Sequence, residues 1–177
     1  MPSTADDRIR WAVEVLSVEP ADRLLEIGCG NGAAVSLICR KLAAGTVTAI
    51  DRSDRMIALA ARRNETYAAA GRACFLTAGL LEADLPRGAF DKIFAVNVNL
   101  FWMKPRRELD VVRELLAPDG TLYLFNQPPS AGRLPDIAGR MRRNLLDAGF
   151  AVRDVLVGEL QPVPVVCVTA GAEAAVT

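Results

Sequence analysis

The chain contains no histidine. Histidine is the side chain whose ordinary pKa lies nearest neutrality, and it is the commonest general base. Its absence excludes Ser-His-Asp and Cys-His mechanisms, and histidine-ligated zinc or iron with them. An excess of one charge is also missing, because 21 basic and 21 acidic side chains cancel. No net field therefore steers the protein toward nucleic acid or an anionic membrane. No apolar run approaches the length of a membrane helix, and MPSTADDRIR lacks the basic-then-apolar order of a signal segment. Cys29, Cys39, Cys74 and Cys167 show no CxxC spacing, so they suggest neither a zinc site nor a disulfide framework. These absences lead us to expect a reduced, cytoplasmic protein without a metal.

What is present is a regular alternation of strand and helix signals. The 177 residues fit one domain, 1–177, with enough apolar side chains (51%) for a sizeable core. Ser3 and Thr4 ahead of Asp6 and Asp7 read as a helix start, followed by Ile9, Ala12, Val13 and Leu16 at helical spacing. RLLEI (23–27), TVTAI (46–50), ACFLT (73–77), DKIFAV (91–96) and TLYLF (121–125) read as strands. Helices are expected over 33–43, 55–70, from Pro105 onward, and over 137–148, and LAPDG is expected as a turn. FAVRDVLVG and VPVVCVT read as a closing antiparallel hairpin. Strands alternating with helices imply an α/β, doubly wound parallel sheet, whose ligand site lies at the carboxyl ends of its strands.

Directly after the first strand comes GCGNGAA, with Gly28, Gly30 and Gly32 at alternate positions. Glycine is weak in strands and helices, so this density asks for a sharp turn and a close approach by a ligand. The letters also satisfy GxGxxA, a dinucleotide-binding fingerprint that is weak alone. Asp51, closing the second strand, could accept hydrogen bonds from the ribose hydroxyls of a bound cofactor. It could also serve only as a helix cap.

The ordered blocks LLEIGCGNG, AIDRSDRM, FDKIFAVN and LLAPDGTLYL resemble the class I S-adenosylmethionine-dependent methyltransferases, from about Leu24 to Val168. The resemblance implies a Rossmann-like sheet of seven strands in the order 3-2-1-4-5-7-6, mostly parallel with an antiparallel C-terminal strand. It implies S-adenosyl-L-methionine as cofactor, with the helix of residues 1–20 packing over its site. Gly28, Gly30, Asn31 and Gly32 would pass against its amino-acid part, where a Cβ would collide. Glu26 would favour its ammonium, and the helix start at Gly32 and Ala33 its carboxylate. Asp51 would hold the ribose. Arg52 and Met56 would lie near adenine, although Met56 is equally readable as a buried helix residue. Where many members carry an acid after strand three, this chain has Gly79 and Leu80, so backbone there, or Glu82 or Asp84, would meet adenine.

Methyl transfer from a sulfonium is a direct displacement, and an acidic or already ionised acceptor needs no strong base. That suits a chain without histidine. The run NVNLFW after strand four offers Asn97, Asn99, Phe101 and Trp102 as acceptor-facing candidates, with Gln127 after strand five and Asn97 also near the cofactor. Phe101 and Trp102 could equally be packing under the next helix. Little chain remains for a cap, which suits a small-molecule acceptor or a second subunit completing the pocket. A homodimer is thus admitted, and nucleic acid and membrane partners are not expected. The rival readings are a cofactor-binding regulatory module that transfers no methyl and an NAD-binding protein.

Overall fold

A computed structural model describes residues 5–172, so the cap expected at Ser3 and Thr4 lies outside the described residues. The elements are α1 (Ala5–Leu16), β1 (Arg23–Ile27), α2 (Ala33–Cys39), β2 (Thr46–Asp51), α3 (Asp54–Arg63), α4 (Glu65–Ala69), β3 (Ala73–Thr77), β4 (Phe90–Val96), α5 (Arg106–Leu115), β5 (Leu116–Asn126), α6 (Leu134–Asp147), β6 (Phe150–Gly158) and β7 (Val165–Ala172). Short 3-10 turns cover Asn99–Trp102 and Ala131–Arg133.

All seven strands join one sheet in the order β3-β2-β1-β4-β5-β7-β6. The first five pair in parallel, and β7 runs antiparallel to both β5 and β6. Helices cover both faces, so the central strands are apolar on both sides. Leu25, Ile27, Ile93 and Leu122 face the α5–α6 layer together with Phe150 and Met141. Leu24, Phe94 and Phe125 face the opposite layer with Val35 and Ile38 of α2. Trp11 fixes α1 to this second face, edge-on to Phe125 at 5.8 Å between ring centroids.

Two expectations are corrected. The helix expected over 55–70 breaks at Asn64 into α3 and α4. Asn64 is fully buried, and its Nδ2 donates to the carbonyls of Ala60 (2.9 Å) and Gly32 (3.1 Å), while Ser36 Oγ donates to its Oδ1 (2.7 Å). A polar side chain that binds its own backbone competes with the helix ladder, and periodicity does not register it. LAPDG, expected as a turn, belongs to β5: Leu116 pairs with Phe90 before the register shifts and Thr121 pairs with Lys92.

At the opposite ends of β1 and β4 from their carboxyl termini, the nearly buried pair Lys92–Asp22 (2.7 Å) and the Arg23–Asp91 pair (2.9 Å) tie the strands together. At the far edge, β6 exposes Val155, Leu156 and Val157. Its register slips between Val152 and Asp154, and Arg153 folds back over Gly171 to donate to Thr121 Oγ1 (2.8 Å).

Asn64 joins three elements, so Asn64→Ala removes three side-chain hydrogen bonds of a buried residue at once. We expect a loss of about 2 kcal/mol, seen as a fall of roughly 4–8 °C in Tm. Thermal unfolding of the variant measures it, and an unchanged Tm contradicts this account of the helix break.

Candidate active site

The turn after β1 carries three residues in the left-handed region: φ is 72° at Gly28, 53° at Gly30 and 76° at Gly32. A side chain is strained there, which explains the alternating glycines. Their surroundings differ, however. A Cβ on Gly28 would stand 2.8 Å from Val98 Cγ2, and one on Gly32 would stand 2.8 Å from Ala60 Cβ and Asn64 Nδ2. A Cβ on Gly30 would meet nothing within 4 Å. The expectation that all three glycines clear space for a ligand is corrected at Gly32 by this geometry. Gly32 is buried against α3, whereas Gly28 is exposed beside Val98 and a Cβ on Gly30 would enter open space.

The end of β2 holds this turn in place. Ile50 O accepts from Gly28 N (2.9 Å) and Cys29 N (3.0 Å), and Asp51 Oδ2 accepts from Gly30 N (2.9 Å). Asp51 Oδ1 accepts from Ser53 N (2.9 Å), while Ser53, not Asp51, caps α3 through Met56 N. Each Asp51 oxygen retains a lone pair for another donor.

Two cavities of about 270 Å³ each open on either side of this turn and share Gly28. The first is apolar, walled by Ile27, Ile50, Leu80, Val98 and Leu100, with Asp51, Arg52, Gly79 and Glu108 at its polar margin. The second lies under α1, where Arg8 and Ile9 face Glu26, Gly30, Asn31 and Val96. Glu26 is 2% exposed, and its Oε2 has no hydrogen-bond partner. Burial, and secondarily the charge of Asp51, push its carboxyl up to about 8. A buried carboxyl oxygen without a partner is costly unless a ligand supplies one. The ammonium of a cofactor's amino-acid end would do so, and the residues present therefore fit S-adenosylmethionine.

Of the expected cofactor residues, Glu26, Gly28, Gly30, Asn31, Asp51, Arg52, Gly79 and Leu80 line these two cavities. Gly32 and Met56 line neither. Asn97 lines neither as well; at φ 56° its Oδ1 accepts from Gln127 N (2.8 Å), stitching the end of β4 to that of β5. Of the acceptor candidates, Phe101 is corrected to a core residue, 1% exposed within the α5–α6 layer. Trp102 is half-buried and donates from Nε1 to Asn99 Oδ1 (3.3 Å). Gln127 accepts from Arg8 and donates to Val163 O (2.7 Å). Glu82 and Asp84 are exposed, whereas Glu108 of α5 lines the apolar cavity, as do Val98 and Leu100 of the loop after β4. Only helical spacing from Leu109 and Val112 hinted at the placement of Glu108, and nothing in the sequence marked Arg8.

A doubly wound sheet with an antiparallel seventh strand, and a glycine turn gripped by an acidic residue ending β2, define the class I S-adenosylmethionine-dependent methyltransferases. The chain belongs to this family: residues 24–120, more than half of it, match the family described as Methyltransferase domain. An uncharacterized methyltransferase of Bacillus subtilis, YdaC, is 26% identical over 166 residues, covering 91% of this chain and 89% of that protein. Trans-aconitate 2-methyltransferase of Escherichia coli O157:H7 is 34% identical over 126 residues, which are 67% of this chain but only 45% of that enzyme. A solved S-adenosylmethionine-dependent methyltransferase from Aquifex aeolicus superposes with a TM-score of 0.73 at 19% identity, covering 95% of this chain and 98% of that one. The protein is thus a methyltransferase using S-adenosylmethionine, and the NAD reading and the purely regulatory reading are set aside. Among the described residues, no helix is long and apolar enough to cross a membrane.

The Glu26 carboxyl, about 8 in the free protein, is largely neutral at pH 7 and must ionise to meet an ammonium. Cofactor affinity should therefore rise by up to about tenfold per pH unit from pH 6 toward 8, with proton release near pH 7. Glu26→Gln should flatten that dependence. Because the folded pKa exceeds the unfolded one, the contribution of Glu26 to free-protein stability is full below about 4.5 and declines as pH rises toward 8. Calorimetry in buffers of different ionisation enthalpy reads the proton; no release in the wild type contradicts the assignment.

Proposed function

We propose that the protein transfers the methyl of S-adenosylmethionine to a small organic acid by direct displacement, acting in the cytoplasm. The observation that carries this reading is the divided cleft around Gly28, with a buried, partnerless Glu26 oxygen on one side and Asp51 on the other. In this reading, Ile50, Leu80 and Leu100 provide apolar contact for adenine, and Glu108 offers its amino group the acceptor that the loop after β3 lacks. Asp51 accepts from the ribose hydroxyls while keeping its grip on Gly30. Glu26 takes the ammonium.

The cofactor supplies a methyl on a positively charged sulfur, an already activated carbon. What remains for the chain is alignment and exclusion of water. A carboxylate acceptor arrives ionised and needs no base, in keeping with the missing imidazole. The likeness to trans-aconitate 2-methyltransferases, whose name gives a small organic acid, supports the same class. Cys29 is no rival nucleophile, because burial pushes its thiol up to about 12 and leaves it neutral. The acceptor would enter beside Asn97, Asn99, Trp102 and Gln127, which rim the carboxyl ends of β4 and β5.

Asp51→Ala should weaken cofactor binding at least tenfold, since loss of one charge-assisted contact costs about 1.5–3 kcal/mol. Equilibrium binding of S-adenosylhomocysteine measures this, and unchanged affinity in a folded variant would reduce Asp51 to holding the turn. A screen of small acids with methyl-labelled cofactor should give labelled ester. Labelling confined to amines or thiols would overturn the acceptor class.

A further inference from the structure

Four buried side-chain nitrogen or oxygen atoms lack a hydrogen-bond partner among the described residues, and two of them belong to residues lining one cavity. They are Oε2 of Glu26, on β1, and Nε of Arg8, on α1. The cavity under α1 is thus walled by a potential anion and by a cation, each with an unmet polar atom. Arg8 Nη1 donates to Gln127 Oε1 (3.0 Å), and Gln127 is itself held at Val163 O (2.7 Å), so the guanidinium is fixed from outside the cavity. Burial is the one influence that shifts Arg8, and it works against the charge. A guanidinium stays protonated even so, and it presents five donors in a rigid fork suited to a carboxylate. No protein carboxylate is recorded in an ion pair with it among the described residues.

Sequence reasoning assigned the cofactor's carboxylate to the start of α2. There Ala33 and Ala34 line the same cavity but bring no charged side chain to it. The helix has only seven residues, and Gly32 at its N-cap is buried behind Ala60 and Asn64. A group bearing both an ammonium and a carboxylate on one carbon would satisfy both unmet atoms at once.

We propose that Arg8 binds the carboxylate of the cofactor's amino-acid end, so that α1 and β1 together read it as a zwitterion. Arg8 then sets specificity for S-adenosyl ligands carrying that carboxylate over those lacking it. The inference rests on the cleft being the cofactor site. It also gives α1 a role beyond cover, because the helix contributes a ligand contact through its fourth described residue.

The test measures three ligands on the full chain by calorimetry: S-adenosylhomocysteine, its decarboxylated analogue, and 5′-methylthioadenosine, which lacks the whole amino-acid end. Wild type should prefer S-adenosylhomocysteine over the decarboxylated analogue by about tenfold to a hundredfold, as expected for one charge-assisted contact. Arg8→Met should bind those two about equally while keeping wild-type affinity for 5′-methylthioadenosine. Arg8→Lys should restore part of the preference. A preference undiminished in Arg8→Met overturns the proposal. So does parallel loss of 5′-methylthioadenosine binding, which would make Arg8 a folding residue, or a change only in KM for the acceptor, which would give it to the substrate. If wild type binds none of the three ligands, the cofactor reading of the cleft fails as well.

Discussion

The cleft depends on two acceptors at the end of β2. Ile50 O and the Asp51 carboxylate together take three successive donors of the turn after β1: Gly28 N, Cys29 N and Gly30 N. Three residues of positive φ within five positions are entropically expensive, and an untethered loop of that composition would sample many shapes. The hydrogen bonds select one. Asn64 closes it from the other side by donating to Gly32 O. The separation of the two cavities and the opening at Gly30 both follow from that one conformation.

Much of the architecture was legible in the sequence because it is encoded redundantly. Each strand from β1 to β5 is a short apolar run bounded by turn residues, and each except β3 is followed by a segment of helical period. Strand order followed from the family resemblance, and the closing hairpin from two alternating runs. The parts that could not be read depend on single polar side chains acting across the fold. Asn64 looks like an ordinary helix residue until its amide is seen to bind Gly32 and Ala60. Arg8 looks like one more surface charge on an amphipathic helix, and it is the packing of Ala12, Val13 and Leu16 with α2, and of Trp11 on Phe125, that sets α1 where Arg8 borders the glycine turn.

The loop after β4 shows the same division. NVNLFW was noticed for its amides and aromatics, yet Val98 and Leu100 wall the apolar cavity and Phe101 enters the core. Asn144 of α6 accounts for this, donating to the carbonyls of Phe101 (3.1 Å) and Met103 (3.4 Å) and fixing the 3-10 turn from outside. Residue type drew attention to the correct segment. Which side chain faced which way was decided by a hydrogen bond from more than forty positions downstream.

The outermost strand, β6, leaves one edge of the sheet without a neighbour among the described residues, and its exposed apolar run 155–157 follows the slipped register and Arg153, which reaches across to Thr121. Four strand spacings separate this edge from β1, roughly 19 Å at ~4.8 Å per step. The middle of the strand is therefore remote from the turn where ligands are read, whereas its end at Gly158 lies against Trp11 of α1. In evolutionary terms, the sheet has its chemistry near the middle and its room for growth at the margin.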